Sequence, residues 1–195
     1  IGEDAFQTIV DQFQSVQPRR IVEFGAGPSS VRFSQEFPES EVLSVEHDPE
    51  FYEAAIELKE ERCPKASLKI VHLPLAYRWF GPYHIRTYQS HDFPEPIDCV
   101  LIDGPPHYTL RGREACLYQV YDRIPVDGVV VLDDFEREPE RTIVRNWRLA
   151  YPDSFDLTII DQGSKLAILR KIEDVRPHWF HLDRLADNLK TNYRY

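Results

Sequence analysis

Apolar residues recur along the chain in two alternating rhythms. Phe6, Ile9, Val10 and Phe13 fall three or four apart, the spacing of a helix face, and predict a leading helix over residues 3–16 that Pro18 closes. Ile21, Val22 and Phe24 form the short apolar run of a buried strand, and Val42, Leu43 and Val45 form the next. Asp48 and Pro49 make an N-cap and first-turn pair, so a helix is predicted from Pro49 to about Arg62, ending before Pro64. Further strands are predicted at 67–72, 97–102 and 128–132, with helices at 109–124 and 138–150. Segments 155–161 and 165–170, joined by Gln162, Gly163 and Ser164, predict a closing hairpin. The alternation predicts an α/β fold whose mostly parallel sheet ends with an antiparallel terminal strand.

One connection breaks the rhythm. Between the third and fourth strands, the aromatic loop 73–96 has four prolines and six aromatic residues where a helix would be expected. A loop of this length is usually functional, and its aromatic content argues against disorder. It reads as a substrate lid or wall, or as a structural hairpin covering the sheet. Tyr77, Trp79 and Tyr83 suit stacking on a sugar or a planar ring.

Composition narrows the partners. At 195 residues and 42% hydrophobic content the chain suffices for one well-buried domain, expected over 1–171. Residues 172–195 read as a tail packing on that domain or on a partner subunit, and a homodimer could form through the tail or the aromatic loop. A net charge of -10 opposes approach to a phosphate backbone, so small molecules or glycans are expected as partners and nucleic acid is not. No apolar run approaches the ~20 residues that span a bilayer, so no membrane partner and a cytoplasmic location are expected. Cys63, Cys99 and Cys116 have no metal-site spacing and are expected to be buried free thiols.

The most informative stretch is Glu23-Phe24-Gly25-Ala26-Gly27-Pro28-Ser29-Ser30, followed by Glu46 at the end of the second strand. A glycine turn lets the backbone approach a ligand, and an acid at the next strand tip can accept both ribose hydroxyls, so the layout describes a nucleoside pocket. A dinucleotide site would favour glycine where Ser30 stands, and Glu23 would repel a pyrophosphate. A ligand bearing an ammonium and a sulfonium suits the charge better, as in S-adenosylmethionine. On these residues the chain resembles the class I S-adenosylmethionine-dependent methyltransferases, whose first motif is E/D-x-G-x-G and whose second is an acid ending strand two. The resemblance covers residues 18 to 171 and implies a Rossmann-like methyltransferase sandwich with a seven-stranded sheet. It places the methionine end of the cofactor at Glu23, Gly25, Ala26 and Gly27 with Ser30 beside them. Glu46 and His47 fall to the ribose, Leu73 to Leu75 to the adenine, and Asp103 to the reacting end.

In an open α/β sheet, ligands lie beyond the carboxyl ends of the strands. Here those tips carry Asp103-Gly104-Pro105-Pro106-His107 and Asp133-Asp134. An acid and a histidine after strand four with paired acids after strand five resemble catechol-type O-methyltransferases, in which a divalent cation activates a substrate hydroxyl. Asp103 and Asp134 match ligand positions of that group, but Phe135 stands where its asparagine would be. Either Asp133 or water completes an oxygen shell around a magnesium-like ion held by Asp103, Asp133 and Asp134, or there is no metal. His107 is the candidate general base, with Asp103, Asp133 and Asp134 lining the reaction centre. The I-D-G-P and L-D-D-x-x-R patterns resemble a bacterial methyltransferase group, and a similar D-G-P step appears in plant glucuronoxylan methyltransferases. Arg111, Arg113 and Arg137 could hold an anionic substrate group, or be solvated arginines paired with Glu114 or Glu138. The expected activity is O-methylation of a small molecule or glycan. The alternatives are a non-catalytic fold member serving protein interaction and a nicotinamide-dependent reductase.

Overall fold

The structure is a computed structural model that describes residues 1–161 and 165–179. The chain opens with α1 (Glu3–Gln14), β1 (Arg20–Phe24), α2 (Pro28–Glu36), β2 (Glu41–Glu46), α3 (Pro49–Arg62) and β3 (Leu68–His72). A hairpin of β4 (Leu75–Phe80) and β5 (Tyr83–Tyr88) follows, then β6 (Cys99–Ile102), α4 (Gly112–Val120), β7 (Val129–Leu132), α5 (Glu138–Ala150), β8 (Phe155–Ile160) and β9 (Leu166–Lys171). The seven-stranded sheet has the order β3-β2-β1-β6-β7-β9-β8, parallel except for β9, which runs antiparallel to both of its neighbours.

Each central strand alternates its apolar residues between two cores, which is why these strands read as continuous hydrophobic runs. Val22, Phe24, Val100, Ile102 and Val130 face the hairpin, α4 and α5. Ile21, Cys99, Leu101, Val129 and Val131 face α1 and α2. Asp48 caps α3 as its spacing predicts, accepting from the Glu50 N–H at 2.9 Å. The three cysteines are free and buried. No described helix is long and apolar enough to cross a membrane.

Two expectations, an unbroken helix over 109–124 and open stacking at Tyr83, need correction. The helix expected over 109–124 is broken into a 3-10 turn (His107–Thr109), α4, and a second 3-10 turn (Tyr121–Arg123). Leu110, at φ 61°, interrupts the helical path, and Gly112 packs so closely that a Cβ there would meet Thr109 Oγ1 at 2.2 Å. The aromatic loop is a hairpin for half its length. Its β5 strand turns Tyr83, Ile85 and Thr87 inward against the core, so Tyr83 offers no open stacking surface. Of the tail, residues 172–179 pack on the domain: Val175 and Trp179 join the core, and Trp179 meets Tyr118 edge-on at 5.0 Å. The expected helical centre near 181–189 lies outside the described residues.

Candidate active site

Strand register builds the site. Phe24 pairs with Val45 and with Ile102, and Ile102 pairs with Leu132, so β1, β2, β6 and β7 end level with one another. The residues one step beyond, Gly25, Glu46, Asp103 and Asp133, therefore form a row along the carboxyl edge, where the strand order reverses.

Gly25 adopts φ 104°, and a Cβ there would lie 2.9 Å from the Gly104 nitrogen and 3.2 Å from the Asp103 carbonyl carbon. The glycine turn thus touches the strand that bears the first acid of the reaction centre. The Gly25 and Ala26 N–H groups both donate to Val45 O, at 2.9 and 3.1 Å, which ties the turn to β2. Gly27 is extended, and a Cβ added to it would meet nothing within 4 Å. Open space at the N-terminus of α2 is where a ligand would lie.

Glu23 is fully buried beneath this turn, and its carboxylate accepts hydrogen bonds from the hydroxyls of Ser29, Ser30 and, at 2.7 Å, Ser44. Burial pushes its pKa up, against the pull of those three donors. Direct contact between Glu23 and a ligand ammonium, expected from the motif, is replaced by a bracing role. Ser30 is part of that brace, since its hydroxyl also accepts the Gly27 N–H at 3.1 Å. Glu46 differs. Its Oε1 takes the His47 and Asp48 N–H groups at 2.8 and 2.9 Å, while Oε2 accepts from no donor among the described residues. His47 Nδ1 lies 2.7 Å from the same Oε1 without the alignment of a hydrogen bond, and its Nε2 is 3.3 Å from the Tyr108 hydroxyl. Leu75 opens β4, partly buried against the core.

Asp103, Asp133 and Asp134 bring ligand oxygens within 4.8 Å of one another. Burial, reinforced by the Asp133 charge, pushes Asp103 up to about 7. Burial likewise raises Asp133, whose Oδ1 is enclosed with no hydrogen-bond partner among the described residues. Asp134 sits at φ 61°, a strained position for a residue with a side chain, and is held there by two guanidinium groups, Arg113 at 2.9 Å and Arg137 at 2.6 Å.

Solved structures share this architecture. The chain aligns over 89% of its length with 82% of the O-methyltransferase TomG from Streptomyces achromogenes, solved with SAM, at TM-score 0.64 and 15% identity. It aligns over 89% of its length with 80% of the SAH-bound Podospora anserina methyltransferase PaMTH1, at TM-score 0.67 and 12% identity. For an O-methyltransferase from Bacillus cereus in complex with SAH the figures are 88% and 82%, TM-score 0.64 and 14% identity. The chain has the class I methyltransferase fold. No family model matches its sequence, and no curated protein does.

Within the methyltransferase fold, the structure separates three arginines that the sequence left equivalent. Arg113 is buried and central: it donates to the Asp103 carbonyl at 2.6 Å, to Asp134, and to the Pro105 carbonyl at 3.2 Å, with Glu140 3.6 Å away. Arg137 lies half in solvent on Asp134. Arg111 faces elsewhere, in a two-pronged pair with the buried Glu114, its guanidinium stacked 4.3 Å from the Tyr83 ring. His107 is exposed on the 3-10 turn beside Tyr108. A groove of about 760 Å³ between α5 and β8 shares Phe135 with the site loop but contains none of these carboxylates. Sequence reasoning passed over Glu140, whose only signal was an acid in the first turn of α5.

Arg113→Met would strip Asp103 and Glu140 of their guanidinium partner and leave Asp134 with Arg137 alone. Breaking a buried pair in this way costs about 3–5 kcal/mol. The expected result is a urea midpoint that falls accordingly and recovers in part when Asp134→Asn is added.

Proposed function

We propose that this chain is an S-adenosylmethionine-dependent methyltransferase that methylates a hydroxyl of a small molecule or glycan. The observation that carries the reading is the contact between the glycine turn and the acid-bearing tip of β6, which puts an open nucleoside site and a reactive carboxylate on one face. When bound, the cofactor supplies a methyl group on a sulfonium. The protein must hold its ends and remove the acceptor proton. Gly27 provides space for the methionine end, and Glu46 Oε2 is free to accept ribose hydroxyls. The Leu73–Leu75 segment stands near β2 for the adenine, the Leu73 N–H donating to the Glu46 carbonyl at 2.7 Å.

A neutral hydroxyl is a poor nucleophile, so a base poised near the working pH accelerates transfer. Asp103 at about 7 fits that requirement, and the base role assigned to His107 from the sequence passes to it in this proposal. Asp103→Ala should retain cofactor binding and lose formation of S-adenosylhomocysteine with an identified acceptor. Full activity in that variant would end the role given to Asp103.

The donor set also fits a divalent cation. Four carboxylates, Asp103, Asp133, Asp134 and Glu140, face two guanidinium groups, Arg113 and Arg137, and Asp133 Oδ1 is enclosed and unpaired. Asp103, Asp133 and Asp134 would hold a magnesium-like ion, Asp103 then serving as a ligand in place of its base role, and the charge of the ion would lower the acceptor hydroxyl pKa. At pH 8, magnesium at a hundredfold excess over its Kd should raise Tm by roughly 5–10 °C. Asp133→Asn should remove most of that shift. An equal shift in both proteins would place the ion elsewhere.

A further inference from the structure

The outward face of the β4–β5 hairpin is unexplained by folding. Tyr77 and Trp79 are 64% and 68% exposed although the opposite face of the hairpin is buried. Leaving such rings in water forgoes the gain that burying them would bring. They are nonetheless ordered against one another: His84 lies 4.9 Å from the Tyr77 ring and stacks on Trp79 at 4.6 Å with 19° between planes.

This face leads into the site. His84, Arg86 and Tyr88 alternate along β5 on one side, and Tyr88 Oη is so near Gly104 that a Cβ there would meet it at 2.3 Å. With ~3.3 Å per residue, Arg86 stands ~7 Å and His84 ~13 Å from the Tyr88 position. The same row reaches the ribose acid from the side. Arg86 lies 5.8 Å from the ring of Tyr108, which is 55% exposed and whose hydroxyl approaches His47. Among the described residues Arg86 has no carboxylate partner, a state it shares with Arg19, Arg78, Arg148 and Arg170, but it alone of these stands on the strand that leads to Tyr88.

We infer that the outer hairpin face is a rail for the remote end of an extended acceptor, a ring-bearing unit with an anionic substituent: the ring lies on Trp79 and Tyr77, the anion pairs with Arg86, and the reacting hydroxyl belongs to the part of the molecule beyond Arg86. The inference rests on the methyltransferase reading for its purpose but not for its measurement. An exposed guanidinium without a partner is complementary to an anion, and open aromatic faces bury the apolar face of a ring. Trp79 keeps the substrate role expected of it, while Tyr83 yields its place to His84 and Arg86.

The test is calorimetric titration with two pairs of probes, 4-hydroxybenzoate beside phenol and a uronic-acid disaccharide beside its neutral counterpart. Each is titrated into the cofactor-free protein and into protein mixed with S-adenosylhomocysteine. The anionic member of one pair should bind at least tenfold more tightly, and which pair responds distinguishes an aryl from a saccharide unit. Arg86→Ala should erase the preference, and Trp79→Ala should weaken both members of the responding pair about equally. S-adenosylhomocysteine affinity should be the same in all three proteins. No preference in the unmodified protein, or one that survives Arg86→Ala, overturns the inference. Failure of S-adenosylhomocysteine to bind would count against the methyltransferase reading alone, because the cofactor-free titrations still report on the rail.

Discussion

Replacing Asp103 with asparagine is expected to lower methyl transfer by about 10²–10⁴-fold while S-adenosylmethionine affinity changes little. Asparagine keeps the shape and the contact with Arg113 but cannot accept a proton at neutral pH. The unmodified protein should also gain rate as pH rises through about 7, the range in which Asp103 ionises, and the variant should lack that limb. Stability should move the other way. Folding raises the Asp103 pKa from 3.8 to about 7, so the folded state holds its proton more tightly. The stability it contributes is therefore greatest below pH 3.8, falls as pH climbs toward 7, and stays low above that. Asp103→Asn removes this electrostatic penalty, and at pH 8 it should stabilise the fold by on the order of 2–4 kcal/mol relative to the parent. At pH 4 the two should differ little. Loss of activity with a gain in stability is what a functional carboxylate under electrostatic strain predicts, whereas a carboxylate that only anchors the fold would lose both.

Alanine at the two glycines of the turn should separate fold from ligand. At Gly25, alanine must accept φ 104° and place its methyl 2.9 Å from the Gly104 nitrogen, backbone that cannot swing aside. Left-handed strain and overpacking together cost about 2–6 kcal/mol, enough to lower Tm by many degrees and to disturb the Asp103 tip with it. At Gly27 the backbone is extended and the added methyl meets open space, so Tm should stay within about 2 °C of the parent. If that space receives the cofactor, the methyl intrudes on it and affinity should fall roughly 5–150-fold. Thermal melts and titrations on the two variants read both effects. A Gly27→Ala protein that binds the cofactor normally would move the methionine end away from α2.

What the sequence disclosed was mostly local. The turn around Gly25 and Gly27, the Asp48 cap, and acids standing directly after apolar runs are short-range patterns with one physical solution each. Seven strands of suitable length then leave few ways to level their tips, so the row of Gly25, Glu46, Asp103 and Asp133 was visible in outline. The hidden features depend on partners distant in sequence. Glu23 reads as a ligand contact until Ser44, one strand away, and the two serines of α2 close around it. Arg111 and Arg113 are two residues apart, hence about 200° apart around a helix, and only the placement of α4 decides which one meets the carboxylates. The rise of Asp103 to about 7 comes first from its burial and then from the charge of Asp133 just past β7, and both need β6 and β7 to lie side by side. The hairpin stood in the sequence only as one of two readings of the loop, because its alternation was masked by aromatic residues on both faces.

The central claim is that this fold binds S-adenosylmethionine at the turn between β1 and α2. Titration calorimetry of the purified protein with S-adenosylmethionine and then S-adenosylhomocysteine, each with and without magnesium, tests it most directly. One site per chain for both ligands, weakened by Gly27→Ala, is the predicted result. A folded sample that binds neither ligand under either condition would contradict the account and favour a non-catalytic member of the fold.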